Sequence, residues 1–167
     1  MYGGFPLHCA AFNGHYAVAR LLIENGAVVC AATESGATPL HIAAGNAHYA
    51  VAGLLIENGA VVCAAAESGS TPLHWATWAD DGAMYVVRML IANGADVSAA
   101  DDIGRTPVHE AAASGLQSAA RLLIENGANV DALDRWGQTP MQVAIHNGQY
   151  VLVQILRDWS KPSAGDT

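Results

Sequence analysis

Basic residues are scarce in this chain, and lysine is almost absent. Its 167 residues include seven lysines and arginines against fifteen aspartates and glutamates, which gives a net charge of -8, and Lys161 is the only lysine. Nucleic-acid binding depends largely on neutralising phosphates with lysine and arginine, and anionic membranes attract the same side chains. The composition therefore argues against a nucleic acid or a membrane surface as the partner.

Long apolar runs are also missing, although 52% of the residues are hydrophobic. Glycine, asparagine and glutamate interrupt every apolar stretch before it reaches the roughly 18 residues that a membrane-spanning helix needs. The N-terminus lacks the basic region and apolar segment that are typical of a secretion signal. We therefore expect a soluble chain located in the cytoplasm.

A six-residue motif returns along the chain at nearly constant spacing. Residues 36–41 read GATPLH, and the last position of the motif is occupied by His8, His41, His74, His109 and Gln142, at intervals of 33, 33, 35 and 33 residues. Such a period is typical of repeat proteins, in which each unit buries its apolar face only against its neighbours. The sequence predicts one repeat domain over residues 1–159 and a flexible tail over residues 160–167. The five repeats are predicted at about 1–32, 33–65, 66–100, 101–133 and 134–159.

Each repeat carries the start and stop signals of two helices. In the second repeat Thr38 is placed to cap a helix that Pro39 begins, and proline is well tolerated in a first helical turn. A second apolar stretch ends at an Asn-Gly pair, as at Asn25 and Gly26, where glycine can adopt the left-handed conformation of a helix end. The third repeat has two extra residues within the segment 78–82, which we expect to form a loop.

The motif itself resembles that of a known family. Thr-Pro-Leu-His followed by two alanines, then a Gly-His pair, a Leu-Leu-Ile run and Asn-Gly-Ala, is similar to the ankyrin repeat, and the resemblance covers about residues 2–159. It implies an all-α repeat solenoid of stacked helix-turn-helix units joined by β-turn or hairpin loops. It also implies a concave surface formed by the turns and first helices, and a function in binding other proteins.

The histidines and cysteines are better explained by structure than by chemistry. Histidines at equivalent positions of stacked repeats lie about 10 Å apart, the usual distance between packed helices, so two of them cannot share a zinc ion. The same distance separates Cys30 from Cys63 and exceeds the Cα separation that a disulfide tolerates. We therefore expect reduced thiols in a reducing compartment, with Cys9 buried and unreactive on the first helix.

No pattern of residues indicates catalysis. The serines fall at turns and helix ends without a nucleophile-elbow motif, and the glycines are spaced by repeat instead of clustered around a phosphate site. The sequence therefore predicts no enzyme activity, no catalytic residue, no metal site and no cofactor.

The resemblance places partner-binding residues beside the turn glycine and at the end of the first helix, because those positions face the concavity of ankyrin-type proteins. The residues so predicted are Phe12, Asn46, Trp78, Asp102, Ile103, Arg105, Arg135, Trp136, Gln138 and His146. The predicted hot spot consists of Trp78, Ile103, Arg105, Arg135 and Trp136. Tryptophan and arginine dominate interface energetics, which is why these residues are singled out. Trp75, which follows a motif histidine, is predicted to belong to the core instead.

The main hypothesis is a non-enzymatic scaffold that binds a protein partner on its concave face, with the chain itself monomeric. One alternative is a structural module that associates weakly with itself through its apolar first repeat. Another is a designed or excised ankyrin fragment without a native partner site, because residues 15–41 and 48–74 differ at only three positions. All three remain open at the level of sequence.

Overall fold

Ten helices make up the regular structure of residues 6–78 and 83–159, the part of the chain that the computed structural model describes. They are α1 Pro6–Phe12, α2 Tyr16–Glu24, α3 Pro39–Gly45, α4 Tyr49–Glu57, α5 Pro72–Ala76, α6 Ala83–Ala92, α7 Pro107–Ser114, α8 Gln117–Glu125, α9 Pro140–His146 and α10 Tyr150–Trp159. No strand occurs in these two segments. The recurring helix pairs confirm the predicted all-helical repeat fold.

The threonine and histidine of each motif together begin a first helix. At the start of α3, Thr38 is extended and its backbone N–H donates to Nδ1 of His41 at 3.2 Å, while its hydroxyl lies 2.9 Å from the same nitrogen. Thr71 and Thr106 repeat this arrangement at α5 and α7. A capping box forms at each of these helices, with histidine in the place that Glu or Gln takes in a common capping box. A threonine hydroxyl accepting from a helix N–H is seen at α9, where Thr139 accepts from Gln142 at 3.3 Å.

The motif histidines also link one repeat to the next. Because Nδ1 of His41 accepts a hydrogen bond, the ring proton lies on Nε2, which donates to the backbone oxygen of Ser70 at 3.1 Å. His109 makes the equivalent bond to the backbone oxygen of Gln138 at 3.0 Å. Each of these bonds spans 29 residues of sequence, so the predicted ladder of structural histidines is confirmed at these positions.

Tight turns precede the first helices, as predicted. In the second repeat the N–H of Gly36 donates to the carbonyl of Thr33 at 2.9 Å, and Gly36 has a φ of 74°, a value that favours glycine. The N–H of Glu67, in the next turn, donates to the carbonyl of Ser35 at 3.0 Å. Neighbouring turn tips are therefore joined by their backbones.

One position departs from this regular pattern. Ala47, between α3 and α4, has a φ of 55°, whereas glycine occupies the equivalent positions 14, 115 and 148 with φ between 67° and 75°. Among the described residues Ala47 is the only non-glycine with a positive φ. A left-handed backbone brings Cβ close to the following carbonyl oxygen, so the second repeat carries local strain at this residue.

The chain forms two compact units, residues 1–96 and residues 97–167. The first contains α1 to α6 around the fully buried Leu40, Leu55, Leu73 and Leu90, and the second contains α7 to α10 around Leu123, Leu152 and Leu156. The single domain and the repeat boundaries expected from the sequence stay predictions. The predicted tail, 160–167, and residues 79–82 of the predicted loop lie outside the described part.

Candidate functional site

The turn before α9 presents two large side chains from a rigid backbone. Oδ1 of Asp134 accepts hydrogen bonds from the backbone N–H groups of Trp136 and Gln138, both at 2.9 Å. A side-chain acceptor of this kind holds a tight turn in one conformation. Arg135 and Trp136 lie at the tip of this turn, and Trp136 is 60% exposed.

The preceding turn has the same construction. Oδ1 of Asp101 accepts from the N–H groups of Ile103 at 3.0 Å and Arg105 at 2.8 Å. The N–H of Arg135 donates to the carbonyl of Ile103 at 2.8 Å, which joins the two turns within the second unit. Ile103 is half-buried, and Asp102 is exposed at the tip.

Two arginines lie against the exposed indole of Trp136. The guanidinium carbons of Arg105 and Arg135 are 5.7 and 5.6 Å from the centroid of its ring. Cations within about 6 Å of an indole ring are attracted by its quadrupole, with about 0.5–1 kcal/mol gained at exposed sites. These contacts restrict the indole before any partner arrives. We call Arg105, Arg135 and Trp136 the indole–arginine cluster.

Two acidic residues hold Arg105 in place. Its Nη1 lies 3.5 Å from Oε1 of Glu110, and its Nε lies 3.8 Å from Oδ2 of Asp134. The Asp134 side chain is fully buried and that of Arg105 is 25% exposed, so the pair is largely removed from solvent. The sequence gives no signal for this role of Asp134 and Glu110, because nothing in their spacing shows that they converge on one guanidinium.

Gln138 and His146 form a second polar pair in the same unit. The side-chain amide of Gln138 donates to Nδ1 of His146 at 3.0 Å, which places the proton of a neutral ring on Nε2. His146 is exposed at the end of α9, as predicted, and Gln138 is half-buried. The pair offers an exposed imidazole donor beside the predicted surface.

The remaining predicted residues lie in the first unit. Phe12 is exposed at the end of α1, and its carbonyl accepts from Nε2 of His48 at 2.9 Å. Asn46 follows α3, where its amide donates to the carbonyl of Ile42 at 2.8 Å. Asn46 therefore serves to end the helix, whatever else it contacts.

Trp78 and Trp75 form an aromatic pair in this unit. Their ring centroids are 5.3 Å apart with an interplanar angle of 30°, and Trp78 is 49% exposed. Trp75 is only half-buried, so its assignment to the core was wrong. One side of its ring stacks on the exposed Trp78, and its ring centroid lies 5.4 Å from that of the buried His41.

The predicted hot spot is therefore divided. The structure brings Arg105, Arg135 and Trp136 into contact and places Ile103 beside them through the link between the turns. Trp78 belongs to the first unit. Partner binding by any of these residues stays a prediction.

The motif histidines have an environment that suits stacking. Burial lowers the pKa of His41 from 6.5 to about 4, and burial also lowers the pKa values of His8 and His109. Loss of solvation disfavours the charged ring, so these imidazoles remain neutral near pH 7. Within residues 6–78 and 83–159, no group of three or more His, Cys, Asp or Glu side chains is arranged to hold a metal ion.

The prediction that Cys9 is buried is wrong. Cys9 is exposed, not buried, because its side chain lies on the outward side of α1 while Leu7, Ala10 and Ala11 fill the core. Cys30 and Cys63 are also exposed free thiols, which lie 3.5 and 3.4 Å from the carbonyls of Gly59 and Gly94. The chain therefore displays unpaired thiols at all three positions.

A family model of ankyrin repeats, described as three copies, matches residues 7–101 and 79–164. This chain belongs to the ankyrin-repeat family. The family suggested by the motif is thereby confirmed, and ankyrin repeats generally act as protein–protein interaction modules without catalytic activity. A search among curated proteins found no match to this ankyrin-repeat chain. In the part that the structure describes, no helix is both long and apolar enough to cross a membrane.

Proposed function

We propose that this ankyrin-repeat protein is a non-enzymatic scaffold that binds a protein partner on its concave face, the surface of its turns and first helices. The indole–arginine cluster carries the proposal. Trp136 exposes 60% of its surface although it is fixed by two guanidinium contacts and a backbone turn locked by Asp134. A large aromatic side chain held in place on the surface is typical of an interface hot spot.

The rigidity of the cluster favours binding for an energetic reason. Ordering a flexible side chain at an interface costs about 0.5–1.5 kcal/mol, which reduces the net affinity. Here much of that cost is met within the protein, because Glu110 and Asp134 position Arg105, and both arginines restrict Trp136. The cluster is ready to contact a partner without rearrangement.

Comparative capture from a cell extract tests the proposal. Wild type, Trp136→Ala and Trp159→Ala are immobilised, and the captured proteins are quantified by mass spectrometry. Trp159, 46% exposed at the end of α10, is a matched control because it lies outside the predicted surface. We expect a partner that wild type and Trp159→Ala retain and Trp136→Ala loses. Equal capture by all three proteins contradicts the assignment of the site.

The proposed setting is a reducing, cytoplasmic compartment, and the proposed mechanism needs no metal or cofactor. The support is that Cys9, Cys30 and Cys63 are exposed and unpaired, a state that oxidising compartments do not favour. Cell fractionation tests this setting: we expect the protein in the cytosolic fraction with three free thiols, and recovery from an oxidising compartment would contradict it.

Weak self-association is the second candidate, because no helix among the described residues covers one face of the first repeat. α2 and α4 have the same sequence except for Arg20 and Gly53, yet Leu21 is 60% exposed and its equivalent, Leu54, is 8% exposed. Beside α2 lies an apolar cavity of about 210 Å³, lined in part by Leu22 and Val28. Exposed apolar surface of this kind favours association.

Sedimentation over a range of concentrations tests the second candidate. If it is correct, wild type shows a concentration-dependent mass that Leu21→Gln abolishes. A strict monomer at all concentrations rejects self-association and leaves the binding of another protein as the function.

A further inference from the structure

We infer that the indole–arginine cluster selects a partner segment in which a carboxylate stands next to an apolar side chain. The inference rests on the proposed function, since it specifies the chemistry of the partner at that site. Two observations lead to it. Arg105 forms ion pairs within the protein and Arg135 does not, and the guanidinium groups of both lie against the ring of Trp136.

Arg105 and Arg135 differ in whether an acidic side chain pairs with their guanidinium. Arg105 is largely buried between Glu110 and Asp134, so its charge is balanced within the protein. Arg135 is exposed, and in the described part of the chain its guanidinium has no acidic partner. Its five N–H donors suit a carboxylate, which a guanidinium can bind through two parallel hydrogen bonds.

The acidic residues nearby leave this charge available. Oδ1 of Asp134 accepts two backbone N–H groups and its Oδ2 faces Arg105, with the side chain fully buried. The side chain of Glu110 is 13% exposed and also faces Arg105. Asp102 is exposed but pairs with neither arginine. Arg135 is therefore the exposed cation beside Trp136 that a partner meets.

The occupied ring excludes one class of partner. An indole attracts lysine, arginine and quaternary ammonium groups through its quadrupole, but here two guanidinium groups already lie within 6 Å of its centroid. A third cation would meet repulsion from Arg135, whose charge is not balanced by an acidic partner in the described part of the chain. A partner segment can place an apolar side chain on the exposed part of the indole and a carboxylate on Arg135. The carboxylate then complements the charge of the guanidinium.

Selection from a library of random linear peptides tests the inference. The full chain is used as wild type, as Arg135→Gln, as Arg121→Gln and as Trp136→Ala. Arg121, exposed on α8, is the matched control because its substitution removes the same charge outside the ten predicted contact residues. Peptides selected by wild type are expected to be enriched in Asp or Glu beside Phe, Leu or Trp. Binding of these peptides should weaken about tenfold in Arg135→Gln, the loss typical of a hydrogen bond to a charged group, and remain unchanged in Arg121→Gln.

The possible results separate the inference from the proposed function. Peptides that depend on Trp136 but carry no acidic enrichment overturn the carboxylate inference and leave protein binding intact. Enrichment in Lys or Arg likewise overturns it. If no selected peptide loses binding in Trp136→Ala, the cluster is not a binding site, and the proposed function and the inference fail together.

Discussion

Acid should destabilise this protein before its carboxylates are fully protonated, because His41 is buried as a neutral ring. Its pKa is about 4 in the folded chain and 6.5 in the unfolded chain, and burial is the main cause. Between these values the unfolded chain binds a proton and the folded chain does not, so the unfolded state is favoured as the pH falls. The stability that the neutral ring provides is present above pH 6.5 and lost progressively down to pH 4.

The size of this loss of stability follows from the difference between the two pKa values. One pH unit corresponds to 1.36 kcal/mol, so His41 alone lowers the free energy of unfolding by about 3 kcal/mol on acidification from neutral pH to pH 4. The lowered pKa values of His8 and His109 act in the same direction. A loss of this size is a large part of the stability of a small repeat protein.

The chain itself suggests the matched variant, His41→Gln. Gln142 stands at the equivalent position of the fifth repeat, where its Oε1 accepts from the N–H of Thr139 at 2.8 Å. Glutamine can therefore preserve the cap on Thr38, while loss of the bond to Ser70 costs about 1 kcal/mol at neutral pH. The amide does not titrate, so the variant should lose about 3 kcal/mol less than wild type on acidification.

Urea unfolding followed by circular dichroism measures both proteins at neutral pH and at pH 4. Contributions from carboxylates are common to the two, and the difference between the two pH dependences isolates His41. Unfolding free energies that fall in parallel for wild type and His41→Gln would refute the assignment of a buried, neutral His41.

Three further substitutions test other parts of the structure. Ala47→Gly should stabilise the protein by about 1 kcal/mol, measured by urea unfolding, because it relieves the left-handed backbone at that position; no gain would show that Ala47 is unstrained. Thr71→Ala should cost about 1 kcal/mol in the same assay through the lost cap, and an unchanged midpoint would contradict that role. Arg105→Ala should lower the melting temperature because the buried Asp134 loses its cation, whereas Trp136→Ala should leave it nearly unchanged. A melting temperature for Arg105→Ala equal to that of wild type would show that Arg105 adds nothing to the fold.

Most of the fold could be predicted from the sequence because the signals are local and repeated. A threonine followed by proline predicts where a first helix begins, and Asn-Gly predicts where a second helix ends. The period predicts that His41 and His109 meet the following repeat, which their bonds to Ser70 and Gln138 confirm.

The candidate site was less accessible to prediction because it depends on contacts between different turns. The exposure of Trp136 could be predicted because it lies beside a turn glycine. The ion pairs of Arg105 could not, because they join it to Asp134, 29 residues away, and to Glu110, five residues away. Trp75 follows a motif histidine and is predicted to belong to the core for that reason, but its side chain is only half-buried. The prediction for Cys9 is also wrong: Cys9 is exposed, whereas Ile42 at the equivalent position of α3 is buried.

The most direct test of the central claim is the dissociation constant of the captured partner for wild type, Trp136→Ala and Trp159→Ala, measured by calorimetry on folded proteins with matched melting temperatures. Truncation of a hot-spot residue costs about 2 kcal/mol or more, so Trp136→Ala should weaken binding about thirtyfold or more, while Trp159→Ala binds like wild type. An unchanged dissociation constant for Trp136→Ala would contradict the claim that the indole–arginine cluster is the binding site.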